Sequence, residues 1–243
     1  MKFLKNLVLA AWAFINFVLA TISVLFLLCF KKNDGKKYWI FGHLSQFWGK
    51  WISWGLGVKV EAEGLENIDP KKRYVIVANH QSSLDPILIM KVFSLALVVI
   101  TKEEFKKVFL LGWGLIRSGV IFVKRGDRES MVIVVRQAVK LLSNSLLTLY
   151  MFPSGTRKID YFKYTGAFRI AILMGFDIVP VTFVNTAEVW PANTCMGINR
   201  NIKVKMIIGK PISTDYFNRE INDMNEVYAL RDRTQEEVYR HIR

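Results

Sequence analysis

Cysteine and histidine are both scarce in this chain of 243 residues. The two cysteines, Cys29 and Cys195, are too few for a disulfide framework or a cysteine-rich zinc site. The three histidines, His43, His80 and His241, argue in the same way against a histidine-rich metal centre. The sequence also lacks a Gly-x-Ser-x-Gly elbow, so the usual nucleophile of a serine hydrolase is missing.

Acidic residues are also few. The chain has 20 Asp and Glu and 34 Lys and Arg, which gives a net charge of +14. Such an excess suits either a nucleic acid or an anionic membrane. Half of it lies in residues 1–60, the most apolar quarter of the chain, where eight lysines accompany a single acid, Asp34. Since basic and apolar character coincide there, lipid is the better candidate partner.

The longest uncharged stretch runs from Leu7 to Phe30 and covers 24 positions. As a helix it would extend about 36 Å, which is enough to cross a bilayer core. A cleavable signal peptide is the alternative, but the run is too long and continues into Lys31 and Lys32 instead of a small-residue cleavage site. Because both ends are basic, the positive-inside rule gives no orientation, which favours a helix that does not cross.

A tryptophan-rich segment follows, with Trp39, Trp48, Trp51 and Trp54 inside sixteen residues. Its apolar residues recur at helical spacing, and indole rings suit the bilayer interface, although a helix facing a protein core is the alternative. The sequence therefore predicts that residues 1–57 form a membrane-anchoring hairpin of two helices embedded in the cytoplasmic leaflet. The protein is then expected at the cytoplasmic (inner) membrane, with its catalytic domain on the cytoplasmic side.

Residues 58–243 alternate between apolar runs and helical patterns. The runs are rich in Val and Ile, as strands buried on both faces are. The predicted strands are Val58–Glu63, Tyr74–Ala78, Leu95–Ile100, Val120–Lys124, Leu146–Phe152, Ile178–Val184 and Ile202–Ile208. The predicted helices are Pro86–Phe93, Lys102–Leu110, Arg128–Leu142 and Gly166–Met174, and a capping-box spacing at Thr234 and Glu237 predicts a further helix start. This order predicts an α/β domain with a central, largely parallel sheet flanked by helices.

One histidine stands where a catalytic base is expected, at the end of a predicted strand. His80 follows Tyr74–Ala78, and Asp85 comes five residues later. In one continuous helix the two would lie about 140° apart around the axis, so a turn must bring them together. Asp85 would then fix the imidazole tautomer and leave the other ring nitrogen as the base. The alternatives are a helix N-cap at Asp85, before Pro86, and an ordinary core histidine at His80.

Basic residues follow three more of the predicted strands. Arg157 ends a turn that begins at Phe152, Arg125 follows the strand Val120–Lys124, and Lys102 follows Leu95–Ile100. Turn N–H groups and an arginine fork are suited to phosphate, although a solvated basic loop is the plain alternative. Because ligands bind at the carboxyl ends of parallel strands, the pattern predicts a site for an anionic substrate.

Four short motifs resemble those of the glycerolipid acyltransferases, and they stand in that family's order between residues 79 and 181. They are Asn79-His80 with Asp85 (the NHx4D motif), Phe122-Val123-Lys124-Arg125, Phe152-Pro153-Ser154-Gly155-Thr156-Arg157 and Ile178-Val179-Pro180-Val181. The N-terminal apolar segment is similar to that of the bacterial 1-acylglycerol-3-phosphate acyltransferases. One such motif would be weak, whereas four in order are highly specific.

The resemblance implies a function and a set of roles. An acyl group would pass from acyl-carrier protein or coenzyme A to the free hydroxyl of 1-acylglycerol-3-phosphate (lysophosphatidic acid), giving phosphatidic acid for phospholipid synthesis. No metal, other cofactor or acyl-enzyme is implied. The residues carried over by the resemblance are His80 as general base, Asp85 as its orienter, Lys102, Arg125 and Arg157 at the acceptor's phosphate, and Ser154, Gly155 and Thr156 as the turn lining that site.

Two departures from the family pattern concern the acceptor side. Ser154 replaces the family's glutamate, and the segment around Lys163 has one extra residue before Gly166. An acyltransferase for another lysolipid therefore stays open, as does a lipid or ester hydrolase that uses Ser154 with His80. A non-enzymatic protein that binds anionic membranes would explain the charge and the tryptophans but not the ordered motifs.

Overall fold

A computed structural model describes residues 11–12, 15–16, 18–19, 22–23, 26, 35–108, 112, 115–116, 120–124, 127–158, 160–191, 198–218 and 223–242. Arg125, one of the predicted phosphate ligands, and most of the uncharged run that starts at Leu7 lie outside these residues. Within the described part of the chain, no helix combines the length and the apolarity that crossing a bilayer requires. The embedded hairpin over residues 1–57 stays a prediction.

Within the described residues, the sheet has seven strands, in the spatial order β1-β7-β6-β2-β5-β3-β4. They are β1 (Val60–Glu63), β2 (Tyr74–Ala78), β3 (Leu97–Lys102), β4 (Ile121–Val123), β5 (Thr148–Met151), β6 (Asp177–Val184) and β7 (Val204–Ile208). All neighbours pair in parallel except β6 and β7, so β7 and β1 run opposite to the other five strands. The predicted largely parallel sheet is confirmed, and the reversed pair at one edge is an addition to it.

Helices cover both faces of the sheet. They are α1 (Gly35–Gly55), α2 (Asp85–Val92), α3 (Arg128–Ser143), α4 (Gly166–Met174), α5 (Thr186–Val189) and α6 (Met224–Tyr239), with 3₁₀ turns at Leu65–Asn67 and Glu103–Lys107. One apolar core lies between the sheet and α2, and the other lies between the sheet and α3, α4 and α6. Central strand β2 is therefore buried on both faces, which explains its unbroken apolar run Tyr-Val-Ile-Val-Ala.

Helix α6 begins earlier than its predicted start. Asp223 is the N-cap, and its carboxylate accepts from the Asn225 N–H at 2.8 Å. Thr234 lies inside the helix, where its hydroxyl donates to the Leu230 carbonyl. The capping-box prediction at Thr234 is thus wrong, because this threonine satisfies its hydroxyl one turn back along an existing helix.

Helix α1 packs on α2 through its smallest residues. Gly42, Gly49 and Ser53 are buried, and a Cβ at Gly49 would overlap the backbone of Lys91 in α2. Trp51 and Trp54 lie on the exposed side of the helix, where Trp54 is 70% exposed and its ring lies 5.3 Å from that of Trp51, while Trp48 is half-buried and its Nε1 atom is enclosed. The tryptophan-rich helix thus packs on the protein with one side and exposes Trp51 and Trp54 on another, and its contact with a membrane stays a prediction.

Candidate active site

His80 and Asp85 meet in the loop that connects β2 to α2. The His80 Nδ1 and Asp85 Oδ2 atoms are 2.8 Å apart, and the His80 side chain keeps 18% of its surface exposed while Asp85 is fully buried. The chain reverses between them, so the turn that the sequence requires is present. An imidazole held on one nitrogen and open on its other side can accept a proton from a bound hydroxyl.

The Asp85 carboxylate faces backward into the loop and not forward into α2. Its Oδ2 atom also accepts from the backbone N–H groups of Gln81 and Ser82, at 2.7 and 2.8 Å. No side-chain hydrogen bond caps α2, so the N-cap interpretation of Asp85 is wrong. Because Oδ2 receives two N–H donors already, it is an acceptor for the imidazole as well, and the proton between them belongs on Nδ1. The Nε2 atom is then the basic nitrogen.

The imidazole plane is fixed by stacking on Phe152. The two ring centroids are 4.3 Å apart and the rings are inclined by only 18°. Phe152 follows β5, the strand beside β2, so adjacent strands deliver the two rings to the same edge. The Asp85 hydrogen bond and this stacking together hold His80 in one orientation.

Two polar side chains anchor the catalytic loop to its surroundings. The buried Asn79 amide accepts from the Phe183 N–H at 2.7 Å and donates to the Phe183 carbonyl at 2.9 Å. It thereby continues the ladder between β2 and β6 with a side chain. The Ser82 hydroxyl donates to the Trp190 carbonyl at 2.7 Å and accepts from the Leu84 N–H. The loop therefore starts from a strand end that is paired on both sides.

The turn after β5 depends on the left-handed backbone conformation of Gly155. Its φ of +67° lies in the left-handed region, and a Cβ there would overlap the ring of Tyr164. Ser154 is fully buried beneath this turn, where its hydroxyl donates to the Thr156 carbonyl at 2.9 Å. Ser154 thus supports the turn from below, and it is not among the residues that line the cleft, although the resemblance implies that the whole turn from Ser154 to Thr156 lines the acceptor site.

Cationic side chains gather at the open side of the loop. Arg157 donates from Nη1 to the Ser83 hydroxyl at 2.6 Å, and Lys102 and Lys158 line the same cleft. Gly155 and Thr156 are also in the cleft wall, as predicted. The structure thus brings Lys102 and Arg157 to one site with His80, while Arg125 lies outside the described residues.

The cleft has a volume of about 590 Å³ and a mixed lining. Its polar end holds His80 and the cations, and an apolar part extends between the sheet and α3. The side chains of that apolar part include Ile100, Met131, Val134, Val135 and Ile170. Tyr150 also lines the cleft, and burial raises the pKa of its phenol, so Tyr150 stays neutral and does not compete with His80 as a base. The cleft suits a ligand with an anionic head and a hydrocarbon chain.

Ser83, Phe152 and Lys158 are site residues to which the sequence gave no role of their own. Ser83 lies inside the loop from His80 to Asp85, and Phe152 and Lys158 flank the turn before and after Arg157. Their place in a motif (Ser83 and Phe152) or next to one (Lys158) is the signal that the sequence offers. Stacking and hydrogen bonding across strands depend on the fold, and a one-dimensional pattern does not contain them.

Known proteins are similar to this chain in sequence and in fold. A family model described as Acyltransferase matches residues 59–184. The 1-acyl-sn-glycerol-3-phosphate acyltransferase of Saccharomyces cerevisiae is 33% identical over 172 residues, 68% of this chain and 55% of that protein. The enzyme of the same name from Borreliella burgdorferi is 31% identical over 137 residues, 55% of this chain and 54% of that protein. The chain thus spans about half the length of these curated relatives.

A solved structure matches almost the whole chain. It is the crystal structure of the 1-acyl-sn-glycerophosphate (LPA) acyltransferase PlsC from Thermotoga maritima. The match has a TM-score of 0.73 at 27% identity and covers 98% of this chain and 97% of that one. The sheet and its flanking helices therefore have a close experimental counterpart.

Proposed function

This chain belongs to the Acyltransferase family, and from that membership and the His80–Asp85 pair we propose that it is a 1-acyl-sn-glycerol-3-phosphate acyltransferase. It moves an acyl group from a thioester, carried by acyl-carrier protein or coenzyme A, to the free hydroxyl of 1-acylglycerol-3-phosphate. The product is phosphatidic acid. The observation that carries the proposal is the 2.8 Å contact between His80 Nδ1 and the buried Asp85 carboxylate at the mouth of a cleft with a cationic end.

The proposed reaction needs one base and no covalent enzyme intermediate. Nε2 of His80 takes the proton of the acceptor hydroxyl while the oxygen attacks the thioester carbonyl. The carbon–sulfur bond then breaks, the ester forms, and the thiolate leaves with the proton that His80 returns. Asp85 stabilises the imidazolium between these two steps. No metal or other cofactor enters the proposed sequence.

The phosphate and the hydrocarbon chain of the acceptor bind to different parts of the cleft in this proposal. Arg157 and Lys102 hold the phosphate at the cationic end of the cleft, with Lys158 beside them, and family resemblance adds Arg125. The apolar part between the sheet and α3 takes hydrocarbon. Fixing both the phosphate and the chain of the acceptor in the cleft that contains His80 lowers the entropic cost of bringing the hydroxyl to the thioester.

The same proposal places the protein on the cytoplasmic leaflet of a membrane. Strand β1 runs opposite to β2 and so begins at the sheet edge where β2 ends, and α1 ends just before it at Gly55. The exposed Trp51 and Trp54, in the last turn of α1, therefore lie at the edge that carries His80. An aromatic face at this edge would hold the cleft at headgroup depth, where a lysolipid need not leave the bilayer.

An assay that supplies the thioester with and without acceptor distinguishes an acyltransferase from a hydrolase. The expected result is that purified enzyme releases thiol and forms phosphatidic acid only when 1-acylglycerol-3-phosphate is present, as followed by a thiol reagent and by lipid mass spectrometry. The Ser154→Ala variant is expected to retain transfer, because the Ser154 hydroxyl is buried on the Thr156 carbonyl. Free fatty acid made without acceptor and lost in Ser154→Ala would establish a serine hydrolase instead.

The membrane arrangement has its own test in intact cells. A cysteine introduced near Lys2 and one near Lys36 are both expected to be shielded from an impermeant thiol reagent. Labelling of the Lys2 site alone from outside would show a spanning helix and overturn the hairpin.

A further inference from the structure

The hydroxyl of Ser83 contacts the guanidinium that is proposed to hold the acceptor's phosphate. The Arg157 Nη1 atom donates to Ser83 Oγ at 2.6 Å, across 74 residues of sequence. Both residues line the cleft that contains His80. The contact therefore joins the loop that carries the base to the turn that carries the phosphate ligand.

Ser83 is held in place by neighbours that are themselves fixed. The residue before it, Ser82, is fully buried, and its hydroxyl bonds the Trp190 carbonyl at 2.7 Å. Two residues after it, Asp85 is fully buried and bonds the backbone of Gln81 and Ser82. Ser83 is the exposed member of this short loop, so its hydroxyl projects from a rigid base into the cleft.

Arg157, in contrast, has a long side chain whose rotamers are costly to fix. An arginine side chain loses up to about 2 kcal/mol of rotamer entropy when it is immobilised. A hydrogen bond that already holds the guanidinium in the free enzyme reduces the part of this cost that falls on substrate binding. Only one of the five N–H donors of the fork is used by Ser83, so the others are available to phosphate oxygens.

We propose that Ser83 is a positioning residue, which presets Arg157 for the acceptor's phosphate. This inference rests on the proposed function and goes beyond it by adding a residue to which neither the motifs nor the relatives' names give a role. Ser83 acts on acceptor binding and not on proton transfer, because its hydroxyl bonds the Arg157 guanidinium and not the His80 imidazole. Its loss is expected to change the KM for the acceptor and to leave kcat unchanged.

The first test compares the kinetics of Ser83→Ala and Ser83→Thr with the unaltered enzyme. Ser83→Ala is expected to raise the KM for 1-acylglycerol-3-phosphate by roughly three- to tenfold, since a hydrogen bond to a charged group is lost at a site open to water. Its kcat should stay within about twofold. Ser83→Thr keeps the hydroxyl and should restore the KM. An unchanged KM in Ser83→Ala, or no rescue by threonine, would overturn the inference.

The second test is a double-mutant cycle with Arg157→Ala. Because Ser83 is proposed to act through Arg157, the double variant should have the same acceptor KM as Arg157→Ala alone. If the increases in acceptor KM of the two single variants multiply in the double variant, Ser83 acts independently of Arg157 and the proposal is rejected. Ser82→Ala is the matched control for a structural serine of the same loop. It should lower the melting temperature and kcat without the selective rise in KM.

These outcomes are distinct from failure of the proposed function. If the unaltered enzyme makes no phosphatidic acid, the proposed function is rejected and Ser83 loses its proposed role with it. If the enzyme transfers acyl groups normally and the cycle is additive, only the role of Ser83 is rejected.

Discussion

Replacement of Asp85 by asparagine tests whether the Asp85 carboxylate acts in catalysis or only in the structure. Asparagine has nearly the same shape and is a good helix cap, so a capping role would survive the exchange. The interaction that would not survive is with His80. Because the Oδ2 position faces the N–H groups of Gln81 and Ser82 as well as His80, the amide oxygen is expected to take that place, and what is lost is the negative charge that stabilises the imidazolium during proton transfer.

The magnitude of this change follows from three hydrogen bonds. The Asp85 Oδ2 atom accepts from His80, Gln81 and Ser82 at 2.8, 2.7 and 2.8 Å. Replacing a charged acceptor by a neutral one weakens each bond by about 1 kcal/mol, so the free energy of unfolding should fall by roughly 3 kcal/mol. The Asp85 Oδ1 atom, among the described residues, is buried without a hydrogen-bond partner, so an NH₂ group there would find no acceptor either.

The kinetic effect should be much larger on turnover than on binding. Loss of an oriented general base typically lowers the rate by about 10²–10⁴-fold, and kcat of Asp85→Asn should fall within that range. The KM for 1-acylglycerol-3-phosphate should change little, because the phosphate ligands are untouched. Thiol release measures the rate, and circular dichroism confirms that the variant is folded at the assay temperature.

Asp223→Asn is the matched control for Asp85→Asn. Asp223 caps α6 by accepting from the Asn225 N–H, and asparagine performs that task equally well. This variant should keep full activity and nearly full stability. If Asp85→Asn behaves like Asp223→Asn, with kcat within threefold of the unaltered enzyme, the argument that the Asp85 charge supports His80 as a base is refuted.

Three further substitutions test the other parts of the site. His80→Ala should lower transfer by at least about 10²-fold while leaving the far-ultraviolet circular dichroism unchanged, and normal turnover would remove the base from the mechanism. Arg157→Lys should raise the acceptor KM although it keeps the charge, since an ammonium does not replace the planar fork; an unchanged KM would show that charge alone is used. Gly155→Ala should lower the melting temperature and the affinity for acceptor, because φ is +67° and the Tyr164 ring occupies the Cβ position. A stable, tightly binding alanine variant would contradict that account of the turn.

The strands were the most predictable part of the fold. Each of the seven apolar runs coincides with a strand, and β2 matches its predicted bounds of Tyr74–Ala78 at both ends. Burial on both faces leaves a dense Val and Ile signal in the sequence. The direction of a strand leaves no such signal, so the reversal of β7 and β1 was missed. Helix α6 was misjudged for a related reason, since its many charged residues gave it little apolar periodicity.

The residues of the candidate site differ in the same way. Contacts between residues that are close in sequence were predictable, and contacts between residues from different strands were not. His80 and Asp85 were predictable because five residues and one turn connect them, and the geometry required only a reversal of the chain. Phe152 and Ser83 were not, because their partners come from other strands. The glycines and serine of α1 were also not recognised as a packing surface. Large apolar residues dominate a helical periodicity, and the small residues that permit close packing contribute little to it.

The Asn79 side chain has a consequence for how the proposed acyltransferase could change its substrate preference. By bonding both backbone groups of Phe183, it extends the sheet to the residue just before His80. His80 thus follows directly on a strand that is paired on both sides and extended by a side chain, while Lys102 and Arg157 lie at and beyond the ends of other strands. Substitutions in those outer segments could retune which headgroup is accepted without disturbing the chemistry. New substrate preferences are therefore expected to arise from substitutions around Lys102 and Arg157, while the position of His80 stays the same.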